Sequence, residues 1–269
     1  MLIKILLPLF TLCILFAQAY AQDTFTWPNG AKAAVCFTYD DALESQLNYA
    51  IPNLDQYGVK GTFFLSALAV TPETQQGWID AAHNGHELAS HTAFHPCSGN
   101  NDWVSPDFAS ENYSVDRMLK ELTVCNNLLY ALDGQTVRTY AYPCCETVVG
   151  GVDYKSALLD SGLYIGARGG QVSDIPKSMR DLDALNVPSK AVIELPVEAL
   201  IDYVNTARDN GTMAVFMFHG VNGQYLKVDG QVHNDILAYL KANDKDFWVA
   251  TFRDVMQHVV KERKRLNWD

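Results

Sequence analysis

The sequence predicts an α/β fold, βα units around a parallel sheet, and three observations lead there. Strand-like apolar runs alternate with helical patterns from residue 33 to the C-terminus, the order that parallel crossovers require. The runs are continuously apolar, as in strands covered on both faces. Polar residues able to carry chemistry stand directly after the runs: Asp40 and Asp41, His91, Pro143 with Cys144, Arg168, and His219. In an α/β barrel that shared address is the C-terminal rim, where active sites form.

Residues 1–21 are set aside first. Lys4, an apolar run over 5–16 and the pattern Ala19-Tyr20-Ala21 read as a secretory signal cut before Gln22, so a secreted or periplasmic protein is expected. The run is shorter than the roughly 20 apolar residues of a membrane helix. Leu12 before Cys13 does not suit lipid attachment, and no membrane anchor is expected. Strands are expected at 33–39, 61–66, 86–90, 137–142, 163–167, 192–195, 213–218 and 247–250. Val115, Met118, Leu119, Leu122, Cys125, Leu128, Leu129 and Leu132 keep helical spacing, and Gly134 follows as a stop. The last helix opens on Thr251 with Asp254 three residues on, a capping pair, and its basic end at 261–265 suits the negative pole of the helix dipole. With no linker or repeat, 22–269 reads as a single domain of the size barrels commonly reach.

A formal net charge of −11 and a pI near 5.0 exclude nucleic acid and anionic membrane as partners, since a phosphate surface demands a basic face. Neutral substrates stay open. Cys36, Cys97, Cys125, Cys144 and Cys145 remain after the signal, without a CxxC pair, which argues against a zinc ribbon. Cys36 falls in an apolar run and reads as a buried small hydrophobe. Cys97, Cys144 and Cys145 follow candidate site motifs, so a disulfide near the site is expected, with its pairing open.

Adjacent Asp40 and Asp41 at a strand end project to opposite sides, so one carboxylate can bind a metal while the other acts on substrate. Alone, such a pair is a turn or a helix cap. His91 and His95, four residues apart, reach one ion if the segment turns helically. Two imidazoles and a carboxylate suit zinc or a related divalent ion and leave positions open. His219 alone would be a core histidine; at a strand tip beside these groups it reads as a proton donor. Trp78, Trp103, Tyr142 and Tyr225 are the aromatics able to line a sugar cleft, although most aromatics pack in cores.

With these motifs the chain resembles the NodB-homology polysaccharide deacetylases, carbohydrate esterase family four. Thr38-Tyr39-Asp40-Asp41-Ala42 is similar to the family's TFDDG, His91 to His95 to H(S/T)xxH, and Phe216-Met217-Phe218-His219 to the fifth motif. The resemblance implies a distorted (β/α)7 barrel in one domain. It implies Asp40 as catalytic base, Asp41, His91 and His95 as ligands of one divalent ion (zinc, with cobalt or nickel as alternatives), and His219 as general acid. The backbone N–H of Cys144 would serve the oxyanion hole. The implied substrate is acetylated polysaccharide or oligosaccharide. Rival readings are a hydrolase of a cyclic amide C–N bond on the same scaffold and a catalytically silent carbohydrate-binding relative. The third motif departs from RxPYG: in Ala141-Tyr142-Pro143-Cys144-Cys145 alanine replaces the arginine that holds the base. Arg168, after its own strand, is the cation able to replace it. The fourth motif has no clear match in 166–172.

Overall fold

A computed structural model of the chain describes residues 24–170, 175–223 and 225–268; the expected signal segment lies outside them. In chain order come β1 (Ala33–Asp40), α1 (Ile51–Gln56), β2 (Thr62–Leu65), α2 (Gln75–His83), β3 (Glu87–Ser90), α3 (Val115–Asp133) and β4 (Tyr140–Ala141). A small hairpin of β5 (Val148–Val149) and β6 (Val152–Asp153) precedes α4 (Lys155–Ser161), β7 (Ala167–Arg168), β8 (Lys190–Ala191) and α5 (Val197–Asn210). Last are β9 (Met213–Phe218), α6 (Gly230–Ala242), β10 (Phe247–Val249) and α7 (Phe252–Arg265).

The main sheet is parallel throughout, in the order β7-β4-β3-β2-β1-β9-β8, with β10 also paired to β1. One edge of β1 carries β9; the other takes β10 at its start and β2 at its end. The sheet curls until its edges approach: Arg168 bridges to Val187, and Ser189 Oγ donates to Gly169 O at 2.8 Å. This is the distorted (β/α)7 barrel, in a single domain.

Burial follows strand parity. Val35, Phe37 and Tyr39 of β1 pack outward against α1, α5 and α6 residues such as Leu54, Leu200 and Ile236. Ala34 and Cys36 face inward with Phe64, Ala89, Ala141 and Val215, and Phe252 and Met256 of α7 join that inner core. Asp40 shares the inward parity of Cys36, which carries its carboxylate to the inner rim. The helix signals hold: Ser114 caps α3, Gly134 ends it at φ 67°, and Thr251 Oγ1 accepts from Asp254 N at 3.2 Å.

Three strands differ from expectation. The run 137–142 contracts to β4 because the Arg138 side chain turns aside to Asp133, with two contacts of 2.6 Å, and to Leu88 O. The run 163–167 shifts to β7, since Leu163 and Tyr164 instead pack against α3 and α4 residues. The run 192–195 moves back to β8 because Glu194, at φ 49°, cannot continue a strand.

Candidate active site

Asp40 ends β1, and Asp41 and Ala42 follow with φ of 75° and 56°. The two carboxylates therefore part through a left-handed turn, where the sequence reading expected the pleat to separate them. Asp40 is 3% exposed; its Oδ2 accepts from Arg168 Nη2 at 2.6 Å, and its Oδ1 is buried without a partner among the described residues. Asp41 Oδ1 lies 3.5 Å from His91 Nε2 and 3.3 Å from His95 Nε2.

The 91–95 segment is a loop, which corrects the expected helical turn. Thr92 (φ 66°) and His95 (φ 53°) bend it, Thr92 Oγ1 accepts from His95 N at 2.8 Å, and Ala67 N and Leu68 N anchor it by bonding Thr92 O and Ala93 O. The imidazole rings end 4.7 Å apart at 71°. His91 Nδ1 pairs with Ala141 O at 2.8 Å, which makes it the donor nitrogen and leaves the Nε2 lone pair facing Asp41 and His95. The ligand atoms of Asp41, His91 and His95 all lie within 4.8 Å of one another. This donor set fits a divalent cation with positions to spare.

Electrostatics agree with such an ion. Burial holds His91 neutral, pushing it down to about 3, and also lowers His95. Burial and the neighbouring Asp40 carboxylate push Asp41 up to about 6, a penalty a cation would relieve. Burial opposes ionisation of Asp40 too, but the Arg168 guanidinium, through its charge and its hydrogen bond, leads the groups that outweigh it and hold the carboxyl below the usual range.

Arg168 is itself 1% exposed. It is the register partner of Ala141 on the adjacent strand, so the guanidinium enters one strand away from the motif position that alanine vacates. Its carbon lies 5.2 Å from the centre of the Phe64 ring. One hydrogen bond reaches Asp40, where a two-pronged contact would be the usual arginine geometry. His219 Nε2 stands 4.0 Å from Asp40 Oδ2 and 3.8 Å from Asp41 Oδ2, and its Nδ1 is buried without a partner among the described residues.

Cys144, at φ 51°, lines the same cavity of about 510 Å³ as these groups. It forms a disulfide with Cys97, whose Sγ is 3.5 Å from His95 Nδ1. Those two sulfurs and His95 also lie within ligand distance of one another, but the disulfide consumes both sulfurs. Cys36 is fully buried, as expected. Of the four aromatics, Trp78 is core, while Trp103, Tyr142 and Tyr225 line the cleft, Tyr142 as a buried wall with its hydroxyl on Leu185 O.

Two supporting residues escaped the sequence reading. Buried Gln46 donates through Nε2 to Asp40 O and to His219 O (3.2 Å), tying the ends of β1 and β9 together. Glu146 accepts from Ser98 N at 3.2 Å and Ser110 Oγ at 2.9 Å, fastening the loop after His95 to the Cys144 turn. Nothing in spacing marks a lone Gln or Glu for such work; only the approach of distant strand ends creates it.

The polysaccharide deacetylase family model matches residues 28–149, a span that holds Asp40, Asp41, His91, His95 and Cys144. Over that span the chain is similar to the polysaccharide deacetylase family. Arg168 and His219 lie beyond the matched span and rest on geometry. No curated protein matches the chain. Among solved structures it is similar to a protein assigned as a polysaccharide deacetylase from Mycobacterium smegmatis, at 21% identity and TM-score 0.66, over 88% of this chain and 93% of that one. It is also similar to the Xyl-CE4 domain of a multidomain xylanase from the hindgut metagenome of Trinervitermes trinervoides, at 20% identity and TM-score 0.55, over 84% and 90%. A family 4 acetyl xylan esterase from Clostridium thermocellum, in complex with a cobalt ion, matches at 19% identity and TM-score 0.53, over 83% and 90%. At these identities the structures speak for the fold.

Proposed function

We propose that this chain is a secreted, metal-dependent hydrolase that removes acetyl groups from carbohydrate, either acetylated xylan or N-acetylated oligosaccharide. The observation that carries the reading is the Asp40 carboxylate. One oxygen is held by Arg168, the other has no partner among the described residues, and the whole group stands beside the Asp41–His91–His95 set. The fold alone would not suffice, because one scaffold hosts many activities.

Asp41, His91 and His95 would hold a divalent ion, zinc first with cobalt or nickel as alternatives; the cobalt complex of the Clostridium thermocellum esterase is in keeping with this. Such an ion supplies Lewis acidity toward an acyl carbonyl and makes water nucleophilic at neutral pH. Asp40 Oδ1 accepts the proton of the attacking water, and Arg168 keeps the carboxylate ionised and aimed. The Cys144 N–H supplies a donor toward the oxygen that gains charge. His219 gives a proton to the departing alcohol or amine. The signal-like residues 1–21 support secretion, and among the described residues no helix is long and apolar enough to cross a membrane.

The test is acetate release from acetylated xylan, chitin oligomers and peptidoglycan, before and after chelation. Release should stop on chelation and return with zinc or cobalt, while circular dichroism changes little, because the ligands sit on strand-end loops outside the core. Full activity in a thoroughly metal-stripped sample, or no acetate from any of the three, overturns the reading.

A further inference from the structure

His95 faces two ways. Its Nε2 lies 3.3 Å from Asp41 Oδ1, within the ligand set, and its Nδ1 lies 3.5 Å from Cys97 Sγ. About 3.5 Å is also the separation of a nitrogen and a sulfur that share one tetrahedral ion through bonds near 2.0 and 2.3 Å. Cys144 Sγ completes a group of three donor atoms within 4.8 Å of one another. The disulfide between the two sulfurs keeps them from serving as thiolates. Opened, the group becomes two thiolates and an imidazole, a soft set that selects Cu(I) and other thiophilic ions over hard cations.

The backbone would hold the sulfurs together after opening. Cys97 O accepts from Ser110 N at 2.8 Å and Glu111 accepts from Gly99 N at 2.9 Å, which fixes the loop around Cys97. Cys145 N and Glu146 N each donate back into the turn, to Tyr142 O and Pro143 O at 3.0 Å. Glu146 spans the two segments by accepting from Ser98 N and Ser110 Oγ. None of these contacts involves a sulfur, so part of the ordering cost of a metal site is met before any ion arrives.

The two sulfurs differ in access. Cys97 is fully buried, whereas Cys144 lines both the cavity of about 510 Å³ and a second one of about 530 Å³. An external dithiol therefore reaches Cys144 Sγ. Its first thiolate bonds to Cys144 as Cys97 leaves, and its second closes on the first to release Cys144. Two electrons and two protons pass to the cysteines, and the dithiol ends as its own disulfide.

We propose that the Cys97–Cys144 disulfide masks a second, reduction-gated metal site, in which Cys97 Sγ, Cys144 Sγ and His95 Nδ1 bind one soft cation such as Cu(I). Binding releases the two thiol protons to solvent. A neutral imidazole has one lone pair, so His95 cannot serve this ion and the Asp41–His91 ion together, and the two sites exclude each other. The exclusion rests on His95 as a ligand of the catalytic ion; the binding does not. The test uses zinc-loaded protein carrying Cys145→Ser, because Cys145 also lines both cavities while Cys36 and Cys125 are buried. It is compared before and after anaerobic dithiothreitol and desalting, with a thiol count to follow the opening. Cu(I), supplied as its bathocuproine disulfonate complex, should bind the reduced protein alone, and zinc should be released in step. In that background Cys97→Ser and Cys144→Ser should each weaken Cu(I) binding more than about 100-fold, the upper end of what a merely supporting group contributes. A disulfide that dithiothreitol cannot open in the folded chain, equal Cu(I) binding before and after reduction, unaltered binding in both variants, or zinc retained while Cu(I) binds would each overturn the proposal. Reduction-gated Cu(I) binding in a chain that releases no acetate from any substrate would leave it standing and sink the deacetylase reading.

Discussion

Asp40 and Asp41 are neighbours in sequence with opposite surroundings: Asp40 faces a guanidinium, Asp41 faces two imidazoles. Asp41→Ala should therefore empty the metal site, whereas Asp40→Asn should keep the ion and lose turnover; bound metal measured alongside rate checks both, and the reverse pattern exchanges their roles. Arg168→Ala should lower turnover on the order of 10²-fold with metal content unchanged, the scale on which a misplaced catalytic group acts. It also removes one partner of a buried pair, so the melting temperature should fall with it. Because one hydrogen bond joins the pair, Arg168→Lys should recover part of the rate, and full activity in Arg168→Ala would reduce the contact to a structural one. Reading position along strands was enough to single out Arg168: the sequence places it just past a strand, and in the structure it is the last residue of β7, beside Ala141. The left-handed backbone at Asp41, Thr92 and His95 was not legible, because these residue types carry no glycine signature for positive φ.

Among the elements, long periodic ones were legible and two-residue ones were not. The leucine spacing of α3 and the apolar run of β9 specify themselves, while β4, β7 and β8 exist only through their neighbours in the sheet. The loop that begins at Cys97 is likewise defined by the cross-links that hold it to the Cys144 turn. Closing 47 residues, the Cys97–Cys144 disulfide should contribute about 4 kcal/mol by chain entropy, an upper figure for a cross-link. The double variant Cys97→Ser/Cys144→Ser should melt roughly 10 °C lower. It should also bind the ion less tightly, because His95 loses the anchor two residues away. Scanning calorimetry and a metal titration check the two halves separately. Unchanged metal affinity would leave the disulfide with stability alone.

Across the whole molecule, the barrel separates its tasks by end. The strand C-termini carry Asp40, Arg168 and His219, and the opposite end is closed by packing between the N-terminal segment and α7. Phe25, Trp27, Trp248 and Trp268 crowd around that closure, and His258 bonds Thr26 O. Glu262 is the polar centre of the joint: Oε2 accepts from Thr26 N (3.3 Å), Thr26 Oγ1 (3.0 Å) and Arg265 Nη2 (2.8 Å). The Arg265 hydrogen bond, with help from Thr26, pulls Glu262 down to about 2, against roughly 4.3 in an unfolded chain. For a carboxyl whose pKa is depressed by folding, the stabilisation is present above the unfolded value and is lost as pH falls through the folded one. Glu262→Gln should therefore cost about 1–2 kcal/mol at pH 7, less than the full shift implies because Arg265 is partly in solvent. The gap between variant and wild type should narrow from about pH 4 and close near pH 2, read from denaturant midpoints across that range. Acetate release at pH 7 should not change, because the joint lies at the end of the barrel opposite the site. A gap that persists below pH 2 would mean that Glu262 acts through shape and neutral hydrogen bonds, and that its charge contributes nothing to holding the N-terminal segment on the barrel.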